Sequence, residues 1–358
     1  MGFGGWKDRD IWPLDFIRSV REIKVFGIYV QDSYRAMVKN NWDFRFTKFN
    51  NCVKNWLARN LPSLKSRVEV LKTFALSRVY YVASILPITK TMVKKFEAVI
   101  GNFIWKGRLL RVALAEIKNS NLMGGLNLVC LQSMSSSLLV SQFLRLLKSS
   151  DEKSIAHAAY WIGDGFTTLL PIVDPGPHHR SIPEFFAHIE GLLVDGRIDD
   201  LITENNWRSL TNRILYQQKT AAFLPPKVEI EAGFSYKNAW FFINLPVFSA
   251  SELDIMYLLL HKKLPLPDIL FRIGLRSDPY CLFCPEAPTC DTEHFFCSCL
   301  RVSEIWHDIR KLMNHLVEGT FSNWEIINFV LPRCSKEKEA VWLLGNYIVK
   351  VWTELSNN

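Results

Sequence analysis

"SLKSRVEVLKTFALSRVYYVASIL" occupies residues 63–86, and its periodicity decides the fold class. Leu64, Val68, Leu71, Ala75, Val79, Val82 and Leu86 recur at three- and four-residue spacing, the period of an α-helix. Ser63, just after Pro62, offers a hydroxyl suited to an N-cap. Val70, Phe74, Tyr81 and Ile85 add a second apolar stripe, leaving a narrow polar face with Lys65, Glu69 and Lys72. So little polar surface predicts a helix inside a bundle. Pro87 ends it.

The same period returns downstream. After Thr91, Met92, Phe96, Val99, Ile100 and Phe103 share one side, with Lys94 and Lys95 opposite. Beyond the Gly-Gly break in "LMGGLNLVCL", residues 132–148 read as another helix, and so do 251–262, 302–316 and 337–355. Upstream, "REIKVFGIYVQ" (residues 21–31) alternates and is rich in β-branched and aromatic residues, which predicts a strand or hairpin broken at Gly27. The helical pattern begins after "NNW". Residues 149–233 mix helical pieces with breakers such as "DPGPHH" and "FLPPK". The expected fold is mainly α, with a short N-terminal β element (1–50), a basic helical bundle (51–148), a helical connector (149–235) and a C-terminal helical domain (236–358).

With 358 residues, 49% of them hydrophobic and 22% charged, the chain is expected to bury real cores. No run approaches the ~18 apolar residues of a membrane span. The start, "MGFGGWKDRD", lacks the apolar core of a signal peptide, so an intracellular protein, nuclear or cytoplasmic, is expected. The formal charge of +8 is unevenly placed: residues 54–111 hold twelve Lys or Arg against Glu69 and Glu97, and the remainder sums to −2. A basic excess confined to one segment predicts a polyanionic partner.

In a reducing compartment, cysteines crowded beside a histidine predict metal rather than disulfide. "CLFCPEAPTCDTEHFFCSC" (residues 281–299) is such a cluster. Cys281 and Cys284 form a CxxC pair, a spacing that brings two thiolates to one ion from a tight turn, and His294 follows. Cys297 and Cys299 both compete for the fourth position on spacing alone, and Cys290 is spare. A closed Cys3His shell suits tetrahedral structural Zn2+, with no position open for a reacting water.

Two stretches resemble the C-terminal part of non-LTR (LINE-type) retrotransposon reverse transcriptases. "LLLHKKLPLPDILFRIGLRSDPYCLFCPEAPTCDTEHFFCSCLRVSEIW" is similar to their zinc-binding region: an aliphatic helix, Leu-Pro, CxxC, Glu-His-apolar-Phe, a cysteine four residues after the histidine, then Trp. The resemblance implies Cys281, Cys284, His294 and Cys299 as ligands, flanked by Glu293 and Trp306, and so favours Cys299 over Cys297. "WLARNLPSLKSRVEVLKTFALSRVYYVASILPITKTMVKKFEAVIGNFIWKG" resembles the thumb, matching at Trp56, Leu64, Arg67, Lys72, Tyr81, Pro87, Phe103 and Trp105. "GGLNL" (residues 124–128) is similar to an element that follows the thumb. The family commonly has Gly where this chain has Ser66 and Asn127. "KVFGIYV" resembles the strand pair at the palm–thumb junction that supports the primer end, and "RIDDLITENNWRSL" resembles the connector.

The resemblance implies binding of RNA and DNA (template–primer, element RNA and target site) in target-primed reverse transcription. Phosphate contacts are expected at Arg67, Lys72, Lys94 and Lys95. Catalytic residues are not expected. Polymerisation needs Mg2+ held by palm carboxylates, in an aromatic-x-Asp-Asp turn in this family. The one Asp-Asp pair here, Asp199-Asp200, follows Ile198 and lies downstream of the thumb-like stretch, where a connector surface is expected. A non-enzymatic, zinc-stabilised protein-interaction module is the alternative.

Overall fold

The computed structural model describes residues 22–107, 111–149, 151–153, 155, 156, 161, 183–194, 207–221, 223–233, 235–286, 288–332 and 334–356. Among the described residues the fold is mainly helical, with one two-stranded sheet. Two compact units each combine separate stretches of chain: Met1–Arg59 with Val70–Ile100 and Val129–Ala222, and Asn60–Glu69 with Gly101–Leu128 and Phe223–Asn358. Most of the connector, including Asp199 and Asp200, lies outside the described residues.

In the first unit, β1 (Glu22–Val25) pairs antiparallel with β2 (Ile28–Gln31), Val25 opposite Ile28. The two loop residues, Phe26 (φ 47°) and Gly27 (φ 82°), are both left-handed, as the tightest hairpin turns require. Glycine takes that conformation without strain, and Phe26 takes it while 91% exposed. Helix α1 (Tyr34–Leu57) begins before "NNW" because the Ser33 hydroxyl accepts from the Ala36 N–H. Buried Asn41 fastens the hairpin to it, accepting from Tyr29 N at 2.9 Å and donating to Tyr29 O at 2.7 Å. Phe96 of α4 (Lys90–Trp105) receives Trp42, Phe46 and Phe49 edge-on at 6.1, 5.2 and 4.8 Å. Trp42 donates to Pro87 O at 2.8 Å, so the residue that ends the preceding helix also anchors α1.

The opening stretch is helical but not uniform. α2 (Leu64–Val70) passes into a π-helical segment (Leu71–Leu76) and then α3 (Ser77–Ala83). The wider π turn shifts the faces, so Phe74 and Tyr81 of the second apolar stripe stay exposed, at 45% and 43%. α5 (Leu114–Ile117) and α6 (Leu131–Leu147) follow. α6 packs with α7 (Glu184–Val194) and α8 (Asn212–Thr220) around Phe143, Ile189, Trp207 and Leu215.

In the second unit, the buried Asp254 carboxylate accepts from Leu64 N at 2.9 and 3.1 Å. It belongs to α11 (Ala250–Leu260), which is preceded by α9 (Lys227–Ala232) and α10 (Lys237–Ile243). His261 Nε2 donates to Gly124 O at 2.8 Å, and the ring lies 4.9 Å from Trp240 and 4.5 Å from Tyr257. Asn127 has φ 54°, a left-handed conformation that Asn adopts at little backbone cost. The chain ends with α12 (Pro267–Arg272), α13 (Ser303–Val317), α14 (Asn323–Ile327) and α15 (Glu337–Ser356). Inside α15, a methyl group on Gly345 would stand 2.0 Å from the Phe248 ring, so only glycine lets the two meet. No helix among the described residues is long and apolar enough to cross a membrane.

Candidate metal centre

The knuckle begins with a braced loop. Asp278 Oδ1 accepts from Tyr280 N at 3.2 Å and Arg276 donates to Tyr280 O at 3.1 Å. An isolated bridge pairs Tyr280 with Thr289, closed by Cys281 N donating to Pro288 O (3.0 Å) and Cys290 N to Pro279 O (2.8 Å). This small ribbon presents Cys281. Three residues on, the Cys284 sulfur accepts from Leu300 N at 3.5 Å, as Cys281 does from Phe283 N at 3.4 Å. Such N–H···S contacts suit thiolates. His294 opens a π turn (His294–Ser298) whose start is held by Asp291 Oδ1 accepting from His294 N at 2.8 Å. Cys299 N closes that turn onto His294 O at 2.8 Å, and Cys299 O accepts from Val302 and Ser303 where α13 begins.

The ligand atoms of Cys281, Cys284, His294 and Cys299 lie within 4.8 Å of one another, a group able to hold a metal ion. Cys299 Sγ is 3.8 Å from Cys281 Sγ and 3.9 Å from Cys284 Sγ, and Cys284 Sγ is 3.5 Å from His294 Nε2. A tetrahedral ion with metal–sulfur bonds of about 2.3 Å and a metal–nitrogen bond of about 2.0–2.1 Å spaces its sulfurs about 3.8 Å apart, and sulfur from nitrogen about 3.6 Å. The donor set and its spacing fit such an ion. All eight cysteines are free.

Burial pushes the Cys299 thiol up to about 12, against the pull of the Arg301 backbone N–H, and the neighbouring sulfurs push the same way. A divalent ion removes that penalty by taking the thiolate directly. Burial lowers the His294 pKa, opposed by the Asp291 carboxylate, which favours the neutral imidazole that ligates metals. Cys297, the competitor on spacing, is buried outside this group, and burial drives its thiol pKa upward. Cys290 is buried beside Cys281, and its thiol is raised by burial first and by Cys281 second.

Glu293 and Trp306, singled out as flanking positions, meet through a residue that spacing did not reveal. Asn323 donates to Glu293 Oε1 at 3.1 Å and accepts from Trp306 Nε1 at 3.0 Å. Its only sequence signal is the capping box of Ser322 and Glu325 beside it. On the other side, Tyr347 of α15 donates to Phe296 O, and Phe295 packs on Trp352 at 5.8 Å.

The four candidate phosphate contacts differ in setting. Arg67 is buried, donating to Ile104 O at 2.6 Å and Leu61 O at 3.4 Å, so its guanidinium serves the interior of the second unit. Lys72 lies half-buried on the π segment of the first unit. Lys94 and Lys95 are exposed on α4, and Lys95 Nζ approaches Asp43 Oδ1 at 3.9 Å. Compared with known proteins, the chain matches no family model and no curated protein.

Proposed function

We propose that this chain is the nucleic-acid-binding C-terminal portion of a non-LTR retrotransposon RNA-directed DNA polymerase. It grips template–primer duplex and element RNA or target DNA, and it does not polymerise by itself. The carrying observation is the Cys3His group at tetrahedral spacing, in a chain whose basic excess is confined to residues 54–111. Structural Zn2+ is the proposed ion, because the donor set is soft, tetrahedral and closed. Lys94 and Lys95 are the proposed phosphate contacts, with Lys72 a further candidate in the first unit, whereas Arg67 acts inside the fold.

The test is anisotropy titration of the full chain with an RNA–DNA duplex across salt concentrations. Affinity should fall by roughly 0.9 log units per log unit of salt for each duplex phosphate neutralised. The Lys94→Glu/Lys95→Glu variant should flatten that slope. Primer extension with Mg2+ should yield no product.

A second reading, a zinc-stabilised protein-interaction module, is favoured by two clefts in the second unit, of about 520 and 450 Å3. Both are lined by Pro265, Leu270 and Trp352. Absence of RNA and DNA binding at low salt would favour this reading over the first.

A further inference from the structure

The hairpin of the first unit has two edges, and only one of them is closed. Opposite residues of an antiparallel pair alternate between those that bond to each other and those whose N–H and C=O turn outward. Tyr29 is of the outward kind, since the Asn41 side chain takes both its N and its O. That closes the β2 edge. Lys24 stands opposite Tyr29, and Glu22 opposite Gln31, so the backbone groups of Lys24 and Glu22 turn outward on the β1 edge. Among the described residues nothing bonds to those groups. All four residues of β1 are exposed, Ile23 at 40% and Val25 at 45%. The strand is nevertheless held in place, because Tyr81 donates to Phe26 O at the tip and Asn41 fixes the strand behind it. An open, apolar and preformed edge is a template for another strand.

The residues of β1 select which strand fits. When β1 pairs antiparallel with a copy of itself, outward residues must face outward residues, so the two-fold axis falls on a residue and not between two. Centred on Glu22 or on Lys24, the pairing sets like charges opposite each other, which destabilises a ladder. Centred on Ile23, it sets Glu22 opposite Lys24 of the second copy, Lys24 opposite Glu22, and Ile23 against Ile23. Both charged pairs then fall on the positions whose backbone groups turn outward, and the exposed isoleucine is covered. In the single hairpin, Glu22 accepts from Gln31 Nε2 at 2.9 Å, and the Lys24 ammonium lies 5.3 Å from the centre of the Tyr29 ring. A carboxylate accepts at both oxygens and an ammonium has three donors, so the new pairs add to these contacts without displacing them.

We propose that β1 is a self-association edge: two copies of this chain pair β1 to β1, antiparallel and centred on Ile23, into a continuous sheet in the order β2–β1–β1–β2. The contact is isologous, so it closes at a dimer. It does not propagate, because Asn41 already occupies the outer edge of each β2. So short a ladder predicts a transient dimer.

Sedimentation velocity of the full chain over a concentration series tests the pairing. Wild type should pass from monomer to dimer as concentration rises. Lys24→Glu and Glu22→Lys each set like charges opposite one another across the axis, and each should weaken self-association about tenfold. Mixed in equal amounts, the two variants regain both opposite-charge pairs and should associate as wild type does. The Glu22→Lys/Lys24→Glu double variant should do so alone. Recovery on mixing excludes misfolding as the cause of the loss. Wild type that stays monomeric throughout would overturn the proposal. So would single variants that associate as wild type does, or that fail to recover when mixed.

Discussion

The knuckle and the helical layer around Phe96 are both well buried, but they are held by different means. In the layer, Trp42, Phe46 and Phe49 converge on one ring, and Asn41 and Trp42 fasten the flanking backbone. The knuckle has one isolated bridge and one π turn, and four of its buried side chains are cysteines: Cys281, Cys290, Cys297 and Cys299. Thiols bury little apolar area, so beyond Phe295 and Phe296 a core of this kind would gain more from a metal bond than the layer would. The comparison teaches that one chain can rest on apolar burial in one place and, in another, offer a donor set through which a bound metal would supply the stability.

Removing the ion should break this contrast most sharply. Chelation, or Cys299→Ser, should unfold the knuckle, since structural zinc carries apparent binding energies of ~10–16 kcal/mol. Amide exchange should show protection lost over residues 281–302 and retained in α1 and α4. Cys297→Ser should keep its metal by elemental analysis, and loss of zinc only in that variant would refute Cys299 as the ligand. On the other side, Phe96→Ala should cost about 3–5 kcal/mol in denaturant unfolding without altering metal content. Asn41→Ala should cost about 1 kcal/mol by removing the side-chain partner of Tyr29's half-buried backbone groups, seen as faster exchange in β1 and β2. An effect of similar size is expected for Asn323→Ala, about 1 kcal/mol of stability. Metal should stay bound, and the Trp306 indole N–H should become exchange-labile.

What could be read in the sequence were the features whose cause is local. Helical periodicity revealed α4, α6, α11, α13 and α15 to within one or two residues, and spacing marked Cys281, Cys284 and His294, with Cys297 and Cys299 left competing until the family resemblance favoured Cys299, whose sulfur does lie with the other three ligand atoms. Helix α1 was seen only from "NNW", because its start depends on Ser33 rather than on an apolar repeat. The π segment left no trace, since one extra residue in a turn leaves composition unchanged. Arg67 looked like a surface cation, and only its reach to Ile104 O shows otherwise. Asp254 and Leu64 are 190 residues apart in sequence, and nothing local to either announces the bond. Buried polar groups find their partners through the tertiary fold, which periodicity does not encode.

The seat of α15 carries a consequence for the lifetime of the chain. Its Tyr347 hydroxyl and Trp352 ring rest on Phe296 and Phe295, two residues strung between ligand positions 294 and 299. The twenty-residue helix α15 is thus moored to the turn that carries His294 and Cys299. Its resistance to proteases should then track metal supply, so that scarcity would show first as nicking near the carboxyl end.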